Sequence, residues 1–136
     1  MKIIAVHDPE DSQLDPIEPL GSISIQNQRG SELSDDCIWL DEWFEGLLST
    51  LQGDGSEVRR IGLACEPDPL IWEPNNTGAI LRYKNMELLI PSLTEFEEAL
   101  RRAIIDFTEP YTSHRNWVRN GRLPTMREWA LKTKAG

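Results

Sequence analysis

Apolar and polar positions alternate along this chain in short runs, broken twice by longer stretches of helical period. Residues 2–6, Lys2-Ile3-Ile4-Ala5-Val6, predict a first strand, and Ser22-Ile23-Ser24-Ile25-Gln26 has the period of two that marks a half-buried strand. Residues 8–19 hold three prolines and five acids between them, which predicts a surface loop. Next comes the clearest helical signal. Ser34 is placed to act as an N-cap, with Asp35 and Asp36 where a helix dipole favours acids. From Ile38 to Leu51, a spacing of 100° per residue gathers Leu40, Trp43, Phe44, Leu47, Leu48 and Leu51 into an arc of roughly 140°, with Trp39 at its border. Asp35, Asp41, Glu42 and Glu45 collect on the opposite side, so the helix is expected to be amphipathic with an acidic outer face.

Beyond the stop signal Gln52-Gly53-Asp54-Gly55-Ser56, residues 57–66 predict a strand, interrupted at Pro67-Asp68-Pro69 because proline cannot donate to a ladder. It resumes at Leu70-Ile71-Trp72-Glu73, and Pro74-Asn75-Asn76-Thr77-Gly78 is a turn signal. Residues 79–83 and 87–90 flank Lys84-Asn85-Met86 as a hairpin. Ser92-Leu93-Thr94-Glu95 is a capping box and opens a second helix to about Thr108, with Leu93, Phe96, Leu100, Ala103, Ile104 and Phe107 inward. Glu97–Arg101 and Glu98–Arg102 are helix pairs of favourable orientation. Ile105 falls on the polar side and needs either the C-terminal segment or a partner to cover it. Residues 111–124 read as irregular, and 125–134 as a short last helix presenting Met126, Trp129 and Ala130. The expected fold is α+β: an antiparallel sheet of about five to six strands covered by two main helices, with a C-terminal tail or short helix. At 136 residues this is expected to be one domain.

Charge divides that domain. The formal net charge is −9, yet residues 1–57 carry −11, residues 58–110 carry −3 and residues 111–136 carry +5. An acidic body, 1–110, therefore ends in a basic segment, 111–136, and charge complementarity favours that segment folding back. The whole chain would be repelled by nucleic acid and by an anionic membrane, while a basic protein partner would be steered toward it. Against that background, the run from His114 to Arg122, which interleaves bases with Trp117, is a minor case for stacking on nucleic-acid bases. Apolar runs of three or four residues span no bilayer, and the N-terminal run is too short for a signal peptide, so the expected location is the cytoplasm.

Little in the sequence carries chemistry. His7 and His114 have no second ligand at metal spacing, and no phosphate-cradling glycine loop with its lysine is present, so no metal or other cofactor is expected. Cys37, on the predicted helix, and Cys65, at a strand end, are both expected to pack as small hydrophobes. Cys65 beside Glu66 is the one place where a small-ligand or enzymatic role could be sought.

The size, the acidity, the early helix Trp39-Leu40-Asp41-Glu42-Trp43-Phe44-Glu45, the middle hairpin and the helix beginning Ser92-Leu93-Thr94-Glu95-Phe96-Glu97-Glu98-Ala99-Leu100 resemble bacterial immunity proteins of polymorphic and contact-dependent toxin systems. The resemblance covers roughly residues 21–109 and lies in organisation, with no diagnostic motif. It implies a stoichiometric inhibitor that covers the active site of a basic toxin. The residues expected to meet such a partner are Asp35, Trp39, Asp41, Glu42 and Glu45. A homo-oligomer joined through Ile105, Trp117 and Trp129 is the alternative expectation, and a small-ligand protein or enzyme the third.

Overall fold

A computed structural model describes residues 1–8, 15–17, 19–52, 56–64, 66–119 and 121–132. Among these residues, seven antiparallel strands form two sheets, and three α-helices pack with them. The first sheet has the order β1-β2-β3, from β1 (Lys2–His7), β2 (Leu20–Gln26) and β3 (Glu32–Trp39). The helix α1 (Leu40–Thr50) follows directly. The second sheet has the order β4-β5-β6-β7, from β4 (Arg59–Ile61), β5 (Leu70–Pro74), β6 (Ala79–Tyr83) and β7 (Met86–Ile90). The chain then forms α2 (Leu93–Thr108), two 3-10 turns at Glu109–Tyr111 and Trp117–Arg119, and α3 (Arg122–Leu131).

The α+β class holds, but the single sheet of five to six strands does not. The difference arises at residues 32–39, which the sequence assigned to a helix entry. Asn27 closes a hairpin that the pattern hides: its Oδ1 accepts from the amides of Arg29 and Ser31, and Gly30 takes the left-handed φ of +82° the turn requires. Once that turn forms, β3 pairs with β2, and the backbone groups a Ser34 cap would have served are used in the ladder. Ser34 therefore caps nothing, and Asp35 and Asp36 stand on a strand. The register shifts between Gly21 and Ile23, so that Asp36 and Cys37 together oppose Ser22: a β-bulge. Cys37 sits in it at φ +52° and is exposed, not packed as a small hydrophobe on a helix. Trp39 occupies the N-cap position of α1 with an extended backbone and no side-chain cap.

Elsewhere the apolar periods find their core. Leu40, Trp43, Phe44 and Leu47 of α1 are fully buried, while Leu48 and Leu51 are half-buried. On α2 the Ser92 hydroxyl accepts from the Glu95 amide at 3.3 Å, as the capping box requires, and Phe96, Leu100, Ala103, Ile104 and Phe107 are buried. Leu93 is instead exposed. The predicted strand 57–66 shrinks to three residues; Val58 is exposed, while Leu63 is buried beyond the strand end. Gly46 leaves the space that Leu63 fills, since a Cβ there would lie 2.7 Å from Leu63 Cδ2. The last helix begins at Arg122, not 125, and buries Leu123, Met126 and Ala130. A single hydrophobic cluster thus draws on both sheets and all three helices.

Candidate functional site

The junction of β3 and α1 gathers acids from three separated stretches. Asp35 is half-buried and accepts a hydrogen bond from the Tyr83 hydroxyl at 2.8 Å. Tyr83, fully buried on β6, packs edge-to-face on Trp43 with ring centroids 4.7 Å apart. Burial raises the Tyr83 phenol above its ordinary value, and the carboxylate of Asp35 and the charges of Glu66 and Asp68 act in the same direction. Glu42 is half-buried on the first turn of α1, and its carboxyl is also raised: first by burial, then by the charge of Asp41, with Glu45 and Glu66 adding to it and Arg122 opposing. The charge of Glu66 thus acts on both Glu42 and Tyr83.

The acidic face of α1 is not wholly open. Asp41 is buried, and its Oδ1 accepts from the Glu42 amide at 3.0 Å. Arg122, at the start of α3, lies 3.7 Å from Asp41 Oδ2 and 3.1 Å from Glu45 Oε2. One base of the C-terminal segment thus bridges two of the acids assigned to partner binding. Asp36, Glu66 and Asp68 make no ion pair among the described residues. Trp39, at the N-cap position of α1, is half-buried.

The three apolar residues assigned to an oligomer or tail contact are each partly covered by this chain. Ile105, Trp117 and Trp129 are half-buried against the core cluster. Arg101 stacks over the Trp129 ring at 4.1 Å and donates to the carbonyls of Trp129 and Lys132. Arg127 donates to the Ile105 carbonyl at 3.0 Å and pairs with Glu109. The basic segment is docked on α2 through its own arginine and through one from the helix.

Between α1, α2 and α3 lies a groove of about 550 Å³ floored by Leu48, Leu51, Met126 and Trp129, with Glu45 and Arg122 on its rim. No catalytic constellation forms among the described residues. His7 is committed to the Tyr111 hydroxyl at 2.7 Å and stacks on Phe107, and the described residues form no group of three or more His, Cys, Asp and Glu that could hold a metal. The Cys65 half of the Cys65–Glu66 idea lies outside the described residues. No helix among the described residues is long and apolar enough to cross a membrane.

Sequence reasoning missed Arg122, Glu66, Asp68 and Tyr83 as members of this region. The +5 charge of residues 111–136 signalled that a base would reach the acidic body, but nothing in a linear pattern selects Arg122. Glu66 and Asp68 flank Pro67, which reads only as a strand interruption. No family model, no curated protein and no solved structure matches the chain.

Proposed function

We propose that this chain is a protein-binding module that takes a basic partner on the acidic surface around the β3–α1 junction, in the manner of an immunity protein that neutralises a cationic toxin by one-to-one binding. One observation carries this reading. Asp35 of β3 bonds Tyr83, which packs on Trp43 of α1, and the chain's own basic segment supplies Arg122 to Asp41 and Glu45 of that helix, while Glu66 and Asp68 make no ion pair among the described residues. Such a surface raises the encounter rate with a cation-rich partner, and half-buried Trp39 offers an aromatic anchor beside it.

The acids to test are Glu66 and Asp68, because reversing Asp41 or Glu45 would also break the Arg122 contacts. Tagged chain would first capture its partner from host lysate at low salt. Association of the purified pair is then expected to slow by about tenfold or more in Glu66→Lys/Asp68→Lys at roughly 0.01 M ionic strength, and to slow little at about 1 M, where screening is nearly complete. A basic, toxic partner silenced at one-to-one stoichiometry supports the immunity reading. An association rate unchanged by the double reversal at low salt would remove this face from it.

A further inference from the structure

We propose that the free edge of β1, with the groove it shares with α2, binds an extended acidic peptide segment as a fourth strand of the three-stranded sheet. This surface is separate from the β3–α1 junction, and the inference does not depend on the toxin reading.

The argument starts from ladder parity. In an antiparallel pair, opposed residues alternate between those that exchange both hydrogen bonds and those that exchange none. The Asp8 amide donates to the Leu20 carbonyl at 3.0 Å, in register with Val6↔Ser22, Ile4↔Ser24 and Lys2↔Gln26, so even-numbered residues of β1 bond to β2. The other side of β2 agrees. The Asn27 amide donates to Ser31, in register with Ile25↔Leu33 and Ile23↔Asp35, so odd-numbered residues of β2 bond to β3. The amides and carbonyls of Ile3 and Ala5 therefore point away from the sheet, and among the described residues no hydrogen bond reaches them. They lie two residues apart, about 6.8 Å, which is the repeat an incoming strand presents.

An open edge alone would be an aggregation hazard. Here it borders a groove of about 450 Å³ that α2 lines with Ala99, Arg102, Ala103, Asp106 and Phe107, the two alanines keeping that part of the wall low. His7, the last residue of β1, stacks on Phe107 at 5.9 Å and bonds Tyr111, which pins that end of the strand to the end of α2. Lys2 of β1 and Arg102 of α2 both line this groove, are exposed and enter no ion pair among the described residues, and the exposed carboxylate of Asp106 lines it with them. Beside the free edge these two cations outnumber the one carboxylate, which favours an extended segment that brings a carboxylate of its own. A second copy fits less well: its β1 contains no acid to meet them, and it would bring its own α2 to the same side of the edge.

The test uses the full chain, labelled with 15N and titrated with a blocked six-residue peptide of alternating threonine and valine ending in glutamate. Shifts are expected at Ile3, Ala5, Ala99 and Ala103. A lysine-ended twin should bind roughly three- to tenfold more weakly, the scale of exposed charge pairs. N-methylation of one alternate set of peptide amides should abolish binding, and of the other set leave it intact. Lys2→Glu/Arg102→Glu, exposed positions whose loss threatens no core, should invert the preference between the two peptides. The proposal is overturned by absence of shifts at Ile3 and Ala5 up to about 5 mM probe. Equal binding of both peptides, or an equal response to both methylation sets, also overturns it. A doubled solution mass with Ile3 and Ala5 amides protected in the absence of probe would give the edge to a second copy and overturn it as well.

Discussion

Tyr83 donates its buried hydroxyl to Asp35 at 2.8 Å, tying β6 of the four-stranded sheet to β3 of the three-stranded one. The two sheets share no ladder, so this bond and the Asn27 side-chain amide donating to the Leu89 carbonyl at 3.0 Å are the polar links between them among the described residues. Tyr83→Phe keeps the ring on Trp43 and removes the bond, and should lower unfolding free energy by about 1.5–3 kcal/mol, the range for hydrogen bonds to charged groups. Because the folded phenol is held above its unfolded value near 10, the wild type holds its proton longer when folded. Its stability is thus full below about pH 10 and declines as pH rises past that value, while Tyr83→Phe should lack this part of the decline. Urea denaturation of both proteins across pH 8–11 checks each statement.

The Glu42 carboxyl is raised by burial and by Asp41, so the folded state binds its proton more tightly than the unfolded chain. Ionising it therefore costs folding free energy, and stability rises as pH falls through the folded value. Glu42→Gln is expected to stabilise the protein at pH 7 by roughly 0.5 kcal/mol, with the gain fading below about pH 4, where the wild-type carboxyl is protonated in both states. Denaturation midpoints of both proteins at the two pH values give the comparison; a gain over the wild type no larger at pH 7 than at low pH would contradict the sign.

The C-terminal segment is part of the core and not an appendage. Leu123 is fully buried on α3, and its truncation to Ala should cost about 2–5 kcal/mol. Arg122→Ala, one residue earlier, removes the ion pairs of a half-exposed guanidinium to buried Asp41 and exposed Glu45, and should cost about 1 kcal/mol at low salt and less at high salt. The contrast between neighbours separates apolar docking from charge. Equal costs for the two variants would mean that α3 is held by electrostatics.

What was legible in the sequence follows one physical divide. The α2 capping box, the 79–90 hairpin and the inward arcs of α1 and α2 depend on local spacing, and a linear pattern records local spacing. β3 was not legible, because Glu32-Leu33-Ser34-Asp35-Asp36 satisfies the rules for a helix entry as well as those for a strand. Asn27, through a turn five residues upstream, decides between them. The acids of the site were legible as composition; their convergence on Tyr83 was not, since it needs Asp35 and Tyr83, 48 residues apart, to meet across two sheets. Arg122 was legible only as charge in a segment. The open edge of β1 depends on register, which no single run of residues reports.

Cys37 holds a left-handed backbone, φ +52°, at the bulge opposite Ser22, a conformation that places Cβ against the following carbonyl and costs a non-glycine residue about 1–2 kcal/mol. Glycine removes that strain but loses more chain entropy on folding, about 0.5–1 kcal/mol. The difference leaves Cys37→Gly more stable than the wild type by roughly 0.5 kcal/mol, whereas Cys37→Val, β-branched and confined to negative φ, should be less stable by at least about 1 kcal/mol. The thiol is exposed, so its side chain contributes no core packing that would mask this order. Thermal unfolding of the three proteins ranks them directly. If valine matched glycine at residue 37, the bulge would not be built on a left-handed residue, and the register shift that turns β3 into α1 would need another cause.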